Sequence, residues 1–495
     1  MRCPRSGSKA SAAIGIVDMV ASVRAEGSVT LRSPTPRPAH AHPASAPASA
    51  HTPAHTTARI PSPPAGEPSG RAHTETAAAR DPAAVRDLFP ALTGDGPVYL
   101  DSAATTQKPL PVIEAIEGYH RRHTANSGRG TYPWATTLTR AIEQVRADTA
   151  RFLHAEPDEV VFTAGATAGL NAVAVAWGLT TLTDGDEILY SPSDHASNVY
   201  PWLQLRATLA HFGRRVRLVP YRTTALGEAD IDDIAAKLGP RTRLLTVSHL
   251  HHVYGARNTL EELRGRLDPR VSVCFDCSQS GGHIPVDVRE LGADFAVLSA
   301  HKMFAAPGTG VLFCHRRIHD QLGPFLPGGN SGVSVRDSAL LPARMPHRLE
   351  GGTHNIPGIL ALGEALRVLD SIGIDTVEQH NRMLTRRLVD GMRALPGLRL
   401  LPGPAHAPCD TGYGIVSFTL DGITATDLGF VLSELGFLVR TGAHCVPSGA
   451  AASTDDAEVV AAEVDSVRVS THVYTTTEEI DRFLACLTTI ATEVR

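Results

Sequence analysis

The sequence predicts an α/β protein in two structured parts: a large domain over residues 86–345, built on a parallel-type sheet wrapped by helices, and a smaller C-terminal α+β domain over residues 346–495. Three observations predict it. From "RDLFP" at 86, short apolar runs alternate with longer amphipathic stretches, the pattern of strands and helices in a parallel sheet. Past about 345 that alternation gives way to a long helical stretch, two or three strands and a closing helix. Residues 1–80 resemble neither part, holding 11 of the 35 prolines and no Phe, Trp or Tyr. This Pro/Ala/His-rich tail cannot bury enough apolar surface to offset its ordering entropy, so it is expected to be disordered.

In order along the large domain, the strand candidates are "EVVFT" (159–163), "EILYS" (187–191), "RVRLVPY" (215–221), "RLLTVSH" (243–249), "VSVCFD" (271–276), "FAVLSA" (295–300) and "GVLFC" (310–314). Each is short and rich in β-branched and aromatic side chains, which fit a pleated, buried surface. Helical stretches over 139–153, 167–178, 230–238 and 258–266 fall between several of them. In the smaller domain one helical stretch over 358–395 precedes the strand-like "GIVSFTL", "FLVRTG" and "SVRVSTHV".

Composition narrows the function classes. A formal charge of −5 without clustered cations offers no electrostatic footprint for nucleic acid or an anionic membrane surface. The run "AAIGIVDMVASV" is too short to span a bilayer and is broken by Asp18. Seven cysteines, odd in number and scattered, fit reduced thiols in a cytoplasmic setting better than a disulfide framework. Cys274 and Cys277 spell C-x-x-C, but positions three apart in a strand face opposite ways, and no second pair completes a zinc site. The tail histidines, His40, His42, His51, His55 and His73, are irregularly spaced, so no metal centre is expected.

In a parallel α/β sheet the ligand sits beyond the carboxyl ends of the strands, so the strand exits carry the chemistry. After "EVVFT", Gly165 and Thr167 open a helix whose free N–H groups can hold a phosphate. "EILYS" leads to "PSDHASN", which places His195 on a loop. "VSVCFD" ends in Asp276 with Gln279 one turn later, and a buried carboxylate there needs a cationic partner. "FAVLSA" exits into Ser299, His301 and Lys302. Pyridoxal phosphate requires a lysine for its Schiff base, an acid on the pyridinium nitrogen and a phosphate cradle, and this one sheet offers all three. Asp276 would keep the ring nitrogen protonated, His195 would lie against the ring face, and Ser299 and His301 would add phosphate donors. "GTG" at 308–310 lacks the spacing of a nucleotide-binding loop.

Ordered motifs then carry a family resemblance from about 86 to 495. "VYLDSAATTQKP" (98–109), "SAHK" (299–302), "RLEGGTHN" (348–355), "VRTGAHC" (439–445) and "SVRVSTHVYTT" (466–476) together resemble the class V aminotransferase-fold enzymes and, within them, the group II cysteine desulfurases of sulfur mobilisation. The resemblance implies a fold type I, aspartate aminotransferase-like architecture with bound pyridoxal phosphate. It implies Lys302 as the Schiff-base residue, Asp276 on the ring nitrogen, Gln279 near the ring oxygen, His195 on the ring face, and Ala166, Thr167, Ser299 and His301 at the phosphate. Thr353 would reach the phosphate of a second subunit, making a homodimer part of the site. Arg468, whose planar fork suits a carboxylate, would bind the substrate with His252 nearby.

The implied reaction takes L-cysteine to L-alanine. Lys302, displaced by substrate, removes the α-proton, and Cys445 attacks the substrate sulfur to become a persulfide that passes to a sulfur-acceptor protein for iron–sulfur clusters or another product. Cys445 is expected to be exposed and mobile, ahead of the small-residue run "SGAAAS", with adjacent His444 promoting its thiolate. Three positions depart from the family pattern: His252 stands for a usual asparagine, Ala166 for a usual threonine and His354 for a usual proline. Selenocysteine lyase, another carbon–sulfur lyase or an epimerase is the enzymatic alternative, and a non-catalytic scaffold the other; intact Lys302, Asp276 and Cys445 argue against a scaffold.

Overall fold

The computed structural model describes residues 85–94, 96–122, 124–263, 265–403, 412–447 and 465–494. The expected disorder of residues 1–80 and mobility of "SGAAAS" lie outside these. The chain opens with β1 (Val98–Tyr99), then α1 (Leu110–Arg122) and α2 (Pro133–Phe152). Seven strands then form the main sheet: β2 (Val160–Thr163), β3 (Glu187–Tyr190), β4 (Arg217–Pro220), β5 (Thr242–Ser248), β6 (Ser272–Asp276), β7 (Phe295–Ser299) and β8 (Gly310–Cys314). Their spatial order is β2-β8-β7-β6-β5-β3-β4. β3 to β7 run parallel, while β8 is antiparallel to both its neighbours. Fully buried strands such as β6, β7 and β8 are continuous apolar runs because helices cover both faces of the sheet.

The helices depart from the sequence reading in instructive ways. The stretch expected over 258–266 holds a 3₁₀ turn, Glu261–Leu263, and no α-helix among the described residues. The stretch expected over 167–178 is α3 (Ala166–Ala172) continued by a π-helical turn, Val173–Gly178. α4 (Tyr200–His211) was not foreseen, because buried Trp202, Leu205 and Leu209 share it with apolar residues all round and blur its periodicity. α5 (Ile231–Lys237) starts on Asp230, whose side chain accepts the N–H of Asp233 as a cap. In the smaller domain the expected single helix is two, α6 (Ile356–Ile372) and α7 (Ile374–Arg393), broken at Gly373 with φ +87°, a conformation that glycine alone adopts at little cost.

After the main sheet an exposed hairpin, β9 (Ser334–Arg336) with β10 (Ala339–Leu341), leads to the smaller domain. There β11 (Leu398–Leu400), β12 (Ile415–Leu420), β14 (Arg440–Gly442) and β15 (Ser466–Ser470) form a sheet of order β11-β12-β15-β14, backed by α8 (Ala425–Glu434) and α9 (Thr477–Glu493). The expected strand "FLVRTG" is divided: β13 (Phe437–Leu438) pairs with β1, and only β14 joins this sheet. The pairing of β1 with β13 ties the start of the folded chain to the smaller domain. Among the described residues no helix is long and apolar enough to cross a membrane.

One ionic contact fastens the edge of the main sheet. Glu350, fully buried, accepts hydrogen bonds from Arg146 on α2 (2.7 and 3.1 Å) and from the N–H of Phe162 on β2 (2.7 Å). The Arg146 guanidinium lies 4.6 Å over the Phe162 ring. Removing one member of such a buried pair costs about 3–5 kcal/mol, since the other charge is left uncompensated.

Candidate active site

Beyond the carboxyl ends of β5, β6 and β7, and roofed by the smaller domain, lies a cavity of about 190 Å³. Its walls bring together Ala166, Thr167, His195, His252, Asp276, Gln279, Ser299, His301, Lys302, Cys445 and Arg468, which come from strand exits spread over some three hundred residues of chain. Among the residues named from sequence, Thr353 is absent from these walls. It is exposed, on the loop between Glu350 and Asn355, and lines a separate cavity of about 330 Å³.

Each wall is held by the segment that delivers it. Asp276 ends β6 and its Oδ1 accepts from the N–H (2.9 Å) and hydroxyl (2.5 Å) of Ser278, which leaves Oδ2 for a ligand. Gln279 donates to the carbonyl of Ala103 at 2.9 Å, fixing the amide so that its Oε1 is buried without a partner among the described residues. Ser299 Oγ accepts from the N–H of Ala166 at 3.2 Å, and the Thr167 and Ser197 hydroxyls meet at 2.7 Å. Behind this corner Gly310 is packed so tightly that a Cβ would stand 2.5 Å from the Cα of Gly165.

Burial shifts the lysine and the histidines around the cavity toward their neutral forms. Burial lowers the Lys302 amine to about 8, an effect that Arg468 and Arg440 reinforce and Asp276 opposes. Burial, then the Lys302 charge, lowers His195 to about 4, and its Nδ1 accepts from the N–H of Ser197 at 3.1 Å. His301 also falls to about 4 through burial and the charges of Lys302 and Lys108. His252 is buried and held well below the ordinary histidine value by that burial, then by His251 and His195. Its ring stacks on His251 (4.9 Å) and meets His195 edge to face (5.1 Å), and neither ring nitrogen has a partner among the described residues.

A Lys302 amine lowered to about 8 is half neutral there, and only the neutral amine condenses with an aldehyde. Stripped of cofactor and mixed with pyridoxal phosphate, the protein is therefore expected to load faster as pH rises through about 8 and then to level off. Stopped-flow absorbance checks this; a midpoint near the ordinary lysine value would contradict it.

Arg468 is buried on β15. Its Nη1 donates to the carbonyl of His252 (3.0 Å), its Nη2 to Asp101 (3.3 Å), and its buried Nε has no partner among the described residues. Directly across the ladder, at the paired position on β14, stands Arg440, which also lines the cavity. Like charges directly opposite are destabilising unless something anionic sits between or beside them. Sequence reasoning missed Arg440, although it sits inside the quoted "VRTGAHC"; only the β14–β15 register reveals that it faces Arg468.

Cys445 is exposed, and both His444 (φ +51°) and Cys445 (φ +66°) adopt the left-handed conformation, uncommon outside glycine and typical of functional loops. Contacts to the large domain brace this loop: the Cys445 carbonyl accepts from the N–H of Ala196 at 2.9 Å, and Val446 packs with Val253 and Tyr254. The expected role of His444 is corrected. Its buried ring points away into a hydrogen bond with Ser466 Oγ (3.0 Å), and burial with the Arg468 charge lowers it to about 3, so it carries no positive charge to favour a thiolate. Lys302 and Arg468 instead lie within electrostatic reach of Cys445. Cys274 and Cys277 are both buried in the core with thiols pushed far up by burial, and no group of residues fit to hold a metal occurs among the described residues.

The cavity fits pyridoxal phosphate on these grounds: a near-neutral amine, a carboxylate engaged by Ser278 through Oδ1 and an amide oxygen without a partner among the described residues line one space bounded by hydroxyls and N–H groups. Comparison with known proteins agrees. A family model for class V aminotransferases matches residues 98–483. A cysteine desulfurase of Klebsiella pneumoniae is 36% identical over 411 residues, covering 81% of this chain and 96% of that protein. A probable cysteine desulfurase of Halalkalibacterium halodurans is 34% identical over 80% of this chain and 95% of its own. Among solved structures, the apo cysteine desulfurase of Thermococcus onnurineus superposes with a TM-score of 0.76 at 29% identity, over 84% of this chain and 99% of that one.

Proposed function

Since this chain belongs to the class V aminotransferase family and is a pyridoxal-phosphate-dependent cysteine desulfurase, we propose that Lys302 is its cofactor lysine and proton carrier, and Cys445 its sulfur acceptor. The observation that carries this assignment is the convergence of Lys302, Asp276, Arg468 and Cys445 on one cavity. Asp276 would hold the ring nitrogen, Gln279 the ring oxygen and His195 the ring face, while Thr167, Ser299 and His301 would hold the phosphate, with Ala166 contributing backbone. Pyridoxal phosphate, when bound, supplies a sink for the electron pair left when the substrate's α-proton departs.

The chain's own residues do the rest. Arg468, with Arg440 across the ladder, binds the carboxylate of L-cysteine, which relieves the repulsion between the two guanidinium groups. His252, bonded through its carbonyl to Arg468, offers an unpartnered ring nitrogen to the same substrate. Lys302 Nζ, poised near neutrality, takes the α-proton. Cys445 Sγ then attacks the substrate sulfur. A sulfur–sulfur bond forms, the substrate's carbon–sulfur bond breaks, and the electron pair stays on the three-carbon product, which is protonated to alanine. Lys302 and Arg468 lie within electrostatic reach of the attacking sulfur. His195, neutral because burial and the Lys302 charge lower it to about 4, would lie on the ring face without adding a competing positive charge.

We further propose a homodimer, supported by the position of Thr353. Glu350 pins one end of its loop to β2 and α2, and Asn355 pins the other by donating to the carbonyl of Gly308 (3.0 Å) and to Thr309 Oγ1 (3.1 Å). Thr353 is thus held outward and exposed, suited to a neighbouring subunit's phosphate. The exposure of Cys445 supports transfer of sulfur to an acceptor protein, and the five free described cysteines fit a reducing, cytoplasmic setting.

Incubated with L-cysteine and a reductant, the loaded protein should release alanine and sulfide in equal amounts. His252→Asn should retain alanine formation within about ten-fold if either side chain serves as a hydrogen-bond partner. Turnover of L-selenocysteine alone would replace cysteine as the substrate, and release of pyruvate in place of alanine would make the enzyme an eliminating lyase.

A further inference from the structure

The segment between β1 and α1 does more than join them. Lys108 lies half-buried there and directs all three of its N–H donors at neutral oxygens: the carbonyl of Thr106 (2.5 Å), the carbonyl of His301 (2.8 Å) and the hydroxyl of Thr105 (3.4 Å). No carboxylate pairs with it among the described residues. A cation withdrawn from water without a counter-charge is unfavourable, and burial lowers this amine to about 8.

The recipient of the contact explains the position. The carbonyl oxygen of His301, the residue before Lys302, accepts from four donors at once: the N–H and hydroxyl of Thr106 (both 3.1 Å), the hydroxyl of Thr105 (3.1 Å) and the ammonium of Lys108. A carbonyl has two lone pairs, so this crowding is unusual, and the charged donor is the strongest of the set. Thr106 Oγ1 also accepts from the N–H of Phe304 at 2.9 Å, so both flanks of Lys302 hang from this segment. The segment is itself braced against the rest of the site: Asp101 contacts Arg468, and the N–H of Ala103 donates to Ser470 Oγ (2.9 Å).

We propose that Lys108 is a positioning residue for Lys302: its ammonium, with Thr105 and Thr106, clamps the His301 carbonyl and so fixes the turn from which the Lys302 side chain projects. The proposal rests on the assignment of Lys302 as cofactor lysine. A released lysine must return to one proton in one place, and its accuracy is set by the peptide it grows from; misplacement of a reacting group by about an ångström slows a reaction by up to about a hundred-fold.

The test compares Lys108→Met with Lys108→Arg in the full, cofactor-loaded chain. Lys108→Met should keep bound cofactor, lower kcat roughly ten-fold or more with KM little changed, and shift the pH midpoint of the cofactor's visible absorbance. Lys108→Arg, which keeps a charged donor, should recover most of kcat and the midpoint. Wild-type kcat and midpoint in Lys108→Met overturn the proposal, as does an equal loss in both variants. If Lys108→Met does not fold, Thr105→Val removes a weaker donor from the same carbonyl; it should shift the midpoint in the same direction by less, and no shift overturns the proposal. Borohydride trapping separates the two assignments: label on a lysine other than Lys302 defeats the underlying one, whereas label on Lys302 with unaltered kinetics defeats the Lys108 proposal alone.

Discussion

Lys302→Ala is expected to abolish alanine formation and to leave a protein that binds pyridoxal phosphate reversibly but no longer covalently. Two losses combine in this variant. The covalent anchor disappears, and so does the base that removes the α-proton, a role that contributes about 10²–10⁴-fold by itself. Asp276, Gln279, Ser299 and the other walls remain, so weak cofactor binding should persist. Borohydride reduction followed by peptide mapping checks it: the wild type should carry the label on Lys302 and the variant none. Label on another lysine would remove the basis of the mechanism.

Cys445→Ser is expected to separate substrate handling from sulfur transfer. Lys302, Arg468 and the cofactor contacts are untouched, so substrate should still bind and change the cofactor's spectrum. The serine hydroxyl is too weak an acid to supply the nucleophile, so sulfide release should fall on the order of 10³-fold or more, the scale seen when an enzyme loses its nucleophile. The environment of Cys445 argues for a dedicated reactive thiol. A cysteine kept only for packing would be buried, as Cys274, Cys277, Cys314 and Cys486 are, whereas Cys445 is exposed in a left-handed loop beside Lys302 and Arg468.

How much of this was legible in the sequence follows from the range of the forces involved. The strands of the main sheet announce themselves because they are buried on both faces and read as apolar runs, and the site follows from them because ligands gather where parallel strands end. Lys302 and His195 were singled out by their place after "FAVLSA" and "EILYS", and Asp276 by ending "VSVCFD". The break at Gly373 was missed because α6 and α7 are both apolar on one face, and a single glycine in a helical pattern is ambiguous.

What stayed hidden depends on tertiary register. Arg440 became a site residue only when β14 paired with β15 and set it opposite Arg468. Adjacency in sequence misled at His444: next to Cys445 along the chain, its ring turns into the core toward Ser466. Lys108 shows the same limit, since nothing in "TTQKP" indicates that its ammonium reaches the carbonyl of His301.

The central claim is that sulfur passes through Cys445, and the most direct measurement is peptide mass after one turnover. The loaded protein is mixed with one equivalent of L-cysteine, quenched without reductant, alkylated and digested. One alanine should form per active chain, and the peptide containing Cys445 should gain the mass of one sulfur atom, lost again on reduction. Alanine formed together with free sulfide, while the Cys445 peptide keeps its original mass, would contradict the account.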